Sequence, residues 1–418
     1  MSICGLDFGT SNTTLGTIAD GQPVLTALEG DHTTIPSAIF YGGGGSVVIG
    51  RKAIATYVEG MPGRLMRSLK SVLGTSLIDE TTRIGRQRTS FRDVIAYYVA
   101  AVKRRAEQAT GRELRSVVHG RPVHFVDNSP EGDRKAERIL GEIAREVGFE
   151  HVTFQFEPIA ASLDYERQIS AEEIALIADI GGGTSDFSIV RLGPERHGKV
   201  DRSADILAND GVRIGGTDFD RQLSLGVVMP LLGFGSAMKR AGLDVPSSYF
   251  HDLATWSRIN RMYEPRVVAD VRRVRREANE TALIDRLLKV LEEQRGHTLA
   301  MDIEDAKIAL SDTPRADIPL EWVTPGLGAA ITRADLVRHT KQLATRVAAR
   351  VKNCLTQARL SAGDIDAVFL TGGSARLAHV RKAIVEAAPS ARIVDGDTFG
   401  AVGKGLTVEA LHRYGPGR

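Results

Sequence analysis

The sequence predicts an α/β fold of two related lobes, each opening on a β-hairpin and continuing into strands and helices. Three observations predict it. Residues 176–190, LIADIGGGTSDFSIV, read as strand, glycine turn and strand, with Asp179 near the end of the first strand and Asp186 after the turn. Residues 3–18, ICGLDFGTSNTTLGTI, repeat that order: apolar run, Asp7, Gly9, Thr10, Ser11, polar turn, apolar run. A helix of small residues follows Glu157 (IAASL), and residues 397–411 (DTFGAVGKGLTVEAL) mirror it at the end of the chain. Repetition on this scale implies a duplicated fold, not a short solenoid period.

Composition narrows the class. The chain has 418 residues, 42% hydrophobic and 25% charged, as in a globular protein of one large or two ordinary domains. A net charge of +2 gives no argument for a nucleic-acid partner. Cys4 and Cys354 lack ligand spacing, so a reduced, cytoplasmic setting is expected. Asp7 interrupts the apolar start, which excludes a signal peptide. The uncharged stretch 226–238 is shorter than the ~20 apolar residues a membrane helix needs and contains Pro230.

The hairpin turns carry the chemistry. Consecutive glycines allow backbone N–H groups to approach an anion closely. Aspartates beside such a turn repel phosphate, so a hard cation such as Mg²⁺, held through oxygen and water, is expected between them. A single GGGT turn is satisfied by a solvated β-turn. The second copy is what favours phosphate binding.

The remaining elements follow in order. A strand is expected over 24–28, and a hairpin over 34–50 whose glycines 42–45 form a plain turn. Residues 51–80 read as helix or helix-turn, which would place Arg64, Arg67 and Lys70 on one solvated face. Residues 91–110 are an amphipathic helix ended by Gly111, and 116–126 a strand. Ser129 caps a helix over 130–147, and a strand over 152–156 precedes the Glu157-Pro158 helix. The second lobe begins near 174. It adds a strand over 203–209, then a glycine turn at 211 leading into a helix that ends at 223. Residues 224–312 form a charged helical insert with Trp256 and Tyr263 in its core; Arg272, Arg273, Arg275 and Arg276 read as a solvated face. A strand over 318–323, a helix over 332–360, a strand over 366–370, a helix over 377–388 and a strand over 391–394 precede the last helix.

These motifs resemble the ATPase domain of the heat-shock protein 70 family, within the actin and sugar-kinase superfamily. GLDFGTSN is similar to the family's first phosphate loop and LIADIGGGTSDFSIV to its second. FEPIAASL is similar to the connecting helix, IGGTDFD to the turn after the second meander, IEDAKIALS to the adenine-side helix and LTGGSARL to the adenosine loop. The resemblance implies an actin-like ATPase fold of duplicated ribonuclease H-like lobes, 1–173 and 174–418, with inserted subdomains at about 30–112 and 217–312. It implies ATP or ADP with Mg²⁺ between the lobes. Asp7, Asp179 and Asp186 would orient the metal, largely through water. Gly9, Thr10, Ser11, Asn12, Gly181, Gly182, Gly183 and Thr184 would hold phosphate. Lys70, in SLKSVLG, and Glu157 would position the attacking water, with Asp7, Asp179 and Thr184 completing the catalytic set. Gly215 and Gly216 would border the site; Glu304, Lys307, Ser311, Gly372, Gly373, Ser374 and Arg376 would hold the adenosine.

The chain departs from the family pattern at Ile308, where an adenine-stacking arginine is usual, at Thr217 in place of glutamate, and in VHGRPVHF before the first connecting helix. That last feature resembles the YegD-like branch. The sequence reaches Arg418 without the acidic-leucine linker or a β-rich peptide-binding domain, so an ATPase domain acting without them, as a monomer, is expected. The implied function is slow ATP hydrolysis with a chaperone-like or regulatory role. A non-hydrolysing nucleotide sensor and a small-molecule kinase of the same superfold are the alternatives.

Overall fold

The computed structural model describes residues 2–43, 45–84, 87–126, 129–196, 198–395 and 400–415. The chain divides into two compact units: Met1–Arg213 with Ala349–Ala375 and Ile384–Arg418, and Ile214–Ala348 with Arg376–Ala383.

The first unit opens on an antiparallel meander, β1 (Ile3–Phe8), β2 (Asn12–Ala19) and β3 (Gln22–Leu25), with β4 (Thr34–Pro36) also on β2. Then β5 (Ala38–Gly42), β6 (Val47–Ile49), α1 (Arg51–Val58) and β7 (Gly63–Arg67) build a small sheet of order β6-β5-β7 with its helix. Here the structure corrects the expected helical face. Residues 63–67 pair antiparallel with β5, Gly63 opposite Gly42 and Arg67 opposite Ala38. A strand points Arg64 and Arg67 to opposite faces. Ser68 then adopts a left-handed conformation (φ 56°), and Lys70 follows in a short 3₁₀ turn, buried. Gly63 is needed in this strand, because the Phe40 ring occupies the space of a side chain there.

The hairpin β8 (Thr81–Ile84) and β9 (Gln87–Ser90) leads into α2 (Phe91–Thr110). Ser90 and Asp93 form a capping box at the start of α2, and Gly111 ends it at φ 64°. β10 (Ser116–Arg121) is shorter than the expected 116–126 strand, since Pro122 has no N–H to continue a ladder. α3 (Pro130–Glu146) is capped by the Ser129 hydroxyl, which accepts from the Gly132 N–H. β11 (His151–Phe156) and α4 (Glu157–Glu166) follow. The main sheet has order β11-β10-β1-β2-β3, antiparallel through the meander and parallel beyond β1.

A second sheet repeats this plan. β12 (Glu173–Ile180), β13 (Ser185–Leu192) and β14 (Ile206–Val212) form its meander. β14 starts later than expected, after a 3₁₀ turn at Ser203–Asp205, and runs through Gly211. Gly211 stays in the strand because it faces Asp186, whose carboxylate lies 2.9 Å from where a Cβ would stand.

The second unit is largely helical: α5 (Gly216–Leu223), α6 (Ser248–Leu253), α7 (Pro265–Glu277), α8 (Thr281–Glu292) and α9 (Gly296–Asp312). The hairpin β15 (Arg315–Pro319) and β16 (Gly328–Thr332) precedes the long α10 (Arg333–Ala358). The strand expected over 318–323 thus sits earlier, where its pairing with β16 places it. Ile259 and Met262 are buried in this unit, whereas Trp256 and Tyr263 are half-buried and meet His297 edge-on. Arg272, Arg273 and Arg275 pair with Glu292, Asp270 and Asp285 on exposed surface, as a solvated face should.

β17 (Ala367–Thr371), α11 (Ala378–Val385), β18 (Arg392–Asp395) and α12 (Ala401–Tyr414) complete the chain. The second sheet has order β14-β13-β12-β17-β18, with β17 parallel to β12 and β18 parallel to β17. Both sheets are therefore three antiparallel strands followed by two parallel ones. This is the duplicated actin-like ATPase architecture. The first residues of the expected last helix, 397–399, lie outside the described residues.

Within the first unit, α4 and α12 pack directly on each other. Val118, Ala160, Leu406 and Ala410 form their shared apolar contact. The Gly405 Cα is so close that a Cβ there would lie 1.8 Å from the Ala160 carbonyl oxygen. Gly405→Ala should therefore cost about 2 kcal/mol by overpacking, despite alanine's roughly 1 kcal/mol advantage in a helix. Urea unfolding measures it.

His119 on β10 is fully buried against Phe154, and burial depresses its pKa to about 4. The folded protein thus holds this imidazole neutral, while the unfolded chain protonates near the ordinary 6.5. Stability should fall as pH drops from 6.5 toward 4, by on the order of 3 kcal/mol from this group. His119→Asn should flatten that slope in denaturation curves.

Candidate functional site

Two β-hairpins meet in the first unit. The first, between β1 and β2, carries Asp7, Gly9, Thr10, Ser11 and Asn12. Ser37 fixes its shape: its N–H donates to the Ser11 carbonyl (2.8 Å) and its hydroxyl to the Gly9 carbonyl (2.7 Å). The second hairpin closes with the Gly181 N–H on the Thr184 carbonyl at 2.9 Å. Its tip reaches the first, since a Cβ on Gly182 would stand 2.5 Å from Ser11 Oγ.

A third loop joins them. Gly372 follows β17 with φ 78°, and a Cβ there would strike the Ile180 carbonyl and the Asp179 carboxylate. Only glycine meets both demands. Ser374 donates to the Gly181 carbonyl at 3.2 Å. The structure thus brings together Gly9–Asn12, Gly181–Thr184 and Gly372–Ser374 from distant parts of the sequence.

Carboxylates crowd beneath these loops. Asp179 and Asp186 are direct partners across the β12–β13 pair. Burial, then the neighbouring Glu157 charge, pushes the Asp7 carboxyl up to about 8, with Asp179 adding to the effect. The same two causes raise Asp179 to about 6, although a hydrogen bond with Thr371 opposes them. Asp186 is raised to about 7 by burial and by Asp179; its side chain is the most solvent-exposed of the three, so screening weakens its elevation most. It accepts from the Thr184 hydroxyl at 3.0 Å.

Lys70 is the cation set among them. It is buried and paired to Glu157, the first residue of α4, whose side chain is 18% exposed. Burial works against its charge, but Glu157 and then Asp7 outweigh it, and its pKa is raised.

The arrangement suits a hard cation. All the donors are oxygen, and their mutual repulsion is relieved by positive charge. Among the described residues, no three carboxylate, imidazole or thiolate groups converge to ligate one metal directly. An ion held here would take water in most of its positions.

A partly open cavity of about 60 Å³ lies beside the carboxylates, lined by Glu157, Asp179, Asp186, Pro122, Asn209 and Val402 among others. Sequence reasoning missed Ser37, Asn209 and the tie from Thr371 to Asp179. Only Thr371 carried a signal, standing directly before Gly372-Gly373.

In the second unit, Gly215 donates its N–H to Asp218 at 3.0 Å, and Gly216 offers its carbonyl to Lys307 at 3.3 Å. Lys307 is buried and pairs with Asp220 at 2.8 Å. Glu304 and Ser311 are half-buried on α9, where Ile308 is 48% exposed. Arg376 binds both oxygens of Asp312 at 2.9 Å.

The family model described as Hsp70 protein matches residues 3–228 and 273–411. The chain belongs to the Hsp70 family. All the hairpin, lysine and carboxylate positions above fall inside the matched segments of this Hsp70 chain; the unmatched stretch 229–272 lies in the helical second unit. A curated relative, the chaperone protein HscA homolog of Bordetella petrii, is 28% identical over 427 residues, covering 97% of this chain and 57% of the relative. The chain thus spans little more than half that chaperone's length. Members of the family bind ATP or ADP with Mg²⁺. No helix among the described residues is long and apolar enough to cross a membrane.

Removing the lysine charge should expose the carboxylate repulsion. Lys70→Met should cost about 2 kcal/mol in nucleotide-free protein, because it leaves the half-buried Glu157 unpaired beside the aspartates. Adding Glu157→Gln should restore part of it, and a double-mutant cycle in urea reads the coupling.

Proposed function

We propose that this protein is a slow Mg²⁺-dependent ATPase of chaperone-like or regulatory role, working in the cytoplasm and related to the YegD-like branch of its family. The observation that carries the reading is the buried Lys70–Glu157 pair set among Asp7, Asp179 and Asp186 beneath two glycine hairpins. Its lobes are 1–173 and 174–418, with the triphosphate held across the hairpin tips.

Asp7, Asp179 and Asp186 would hold magnesium through water, and the ion would supply charge neutralisation at the β- and γ-phosphates. The Gly9–Asn12 and Gly181–Thr184 turns orient phosphate oxygens. Glu157, fixed at the first turn of α4, accepts a proton-side contact from the attacking water. Lys70 pairs with Glu157 and offsets charge building on the transferred group. This is positioning and electrostatics, as phosphoryl transfer demands. The adenosine roles of Gly215, Gly216, Glu304, Lys307, Ser311, Gly372, Gly373, Ser374 and Arg376 rest on the family resemblance.

Exposed Ile308 favours one alternative, a nucleotide sensor without turnover, because it offers the base an aliphatic side chain rather than a cation. Single-turnover assays with Mg-ATP separate the two. Under the ATPase reading the wild type turns over, and Lys70→Ala lowers kcat about a hundredfold. No turnover above that variant, with nucleotide still bound by calorimetry, leaves the sensor.

A further inference from the structure

Arg202 is the largest fully buried side chain among the described residues, and its partner Glu166 stands at the opposite end of α4 from Glu157. Its guanidinium donates to both oxygens of Glu166 (3.0 and 2.7 Å), to Asp205, and at 3.4 Å to the Arg191 carbonyl. Glu166 is fully buried and also accepts from the Gly193 N–H at 3.1 Å. Asp205 is held in turn by Arg196, which reaches Glu172 at 2.7 Å.

The elements this knot joins are the ones that form the site. Glu166 is the last residue of α4, and Glu157 is its first. Gly193 directly follows β13, which carries Asp186 near its start. Helix and strand therefore each have one end in the carboxylate cluster and the other in the Arg202 knot. A helix of ten residues is a rigid strut of roughly 15 Å. It rests at mid-length on Gly405, and its far end is pinned on Arg202.

We infer that Arg202 is a positioning residue for Glu157: by clamping the far end of α4 to the end of β13, it fixes the Glu157 carboxylate against Asp179 and Asp186. Stability alone is a poor account of this knot, since buried ion pairs rarely outperform apolar packing of the same volume. What a fully bonded Arg–Glu–Asp knot supplies is a single geometry. Reacting groups lose about two orders of magnitude in rate when displaced by an ångström.

The inference rests on the ATPase reading for its kinetic consequence only. Arg202→Met should lower kcat for Mg-ATP about 10- to 100-fold, with KM within about twofold, because the phosphate loops are tied to one another through Ser37 and Ser374 and not through the knot. Amide exchange at Ala161, Ser162 and Leu163, whose N–H groups bond back to the first turn of α4, should quicken at least about tenfold. Arg202→Lys, which keeps the charge but not the fork, should recover part of both. Glu166→Gln tests the same clamp with little change of volume and covers the case in which Arg202→Met does not fold. A folded variant with unchanged kcat, or with faster exchange confined to residues 191–205, overturns the inference. Absence of turnover in the wild type would overturn the ATPase reading instead, and the exchange result at residues 161–163 would still decide for or against the clamp.

Discussion

The structure turns on repulsion between carboxylates held in one small volume. Asp7, Asp179, Asp186 and Glu157 come from four elements, and burial raises the first three well above an ordinary aspartate. Lys70 answers part of that charge through its pair with Glu157. A chain selected for stability alone would not gather these groups. Local rules broken in this way mark the places where function is kept.

The duplicated sheets explain how the groups are gathered. In each sheet the strand bearing the key aspartate lies in the middle, antiparallel to one neighbour and parallel to the other. Asp7 and Asp179 both stand near the ends of such strands, where loops from several directions converge. Loops at strand ends are free to carry polar groups, because the sheet beneath supplies the rigidity. Ser37, Gly372 and Ser374 then tie the loops by bonds to backbone carbonyls or by close approach.

Much of this could be read from residues alone. The two hairpins, the amphipathic helix ended by Gly111, the helix capped by Ser129 and the small-residue helices all follow from local chemistry: apolar period, cap residues and glycine. The region 63–70 could not be read this way. Its basic residues fall at helical spacing, but pairing with Ala38–Gly42 overrides that pattern, and only the partner strand reveals it. Lys70 stands among the candidates through resemblance, since spacing by itself gives a solvated face. Arg202 carried no signal at all. Its partners Glu166 and Asp205 belong to different elements, and an arginine in a polar segment reads as surface.

The crossing of α4 and α12 has a mechanical consequence. Most packed helices interlock side-chain ridges, and sliding one past the other means climbing over them. Where Gly405 lies on the Ala160 backbone there is no ridge to climb. The contact behaves as a smooth bearing surface, resisting compression while offering little friction to shear, so restraint along that plane falls to the anchored helix ends and to the exposed Lys404–Asp164 pair that links the two helices.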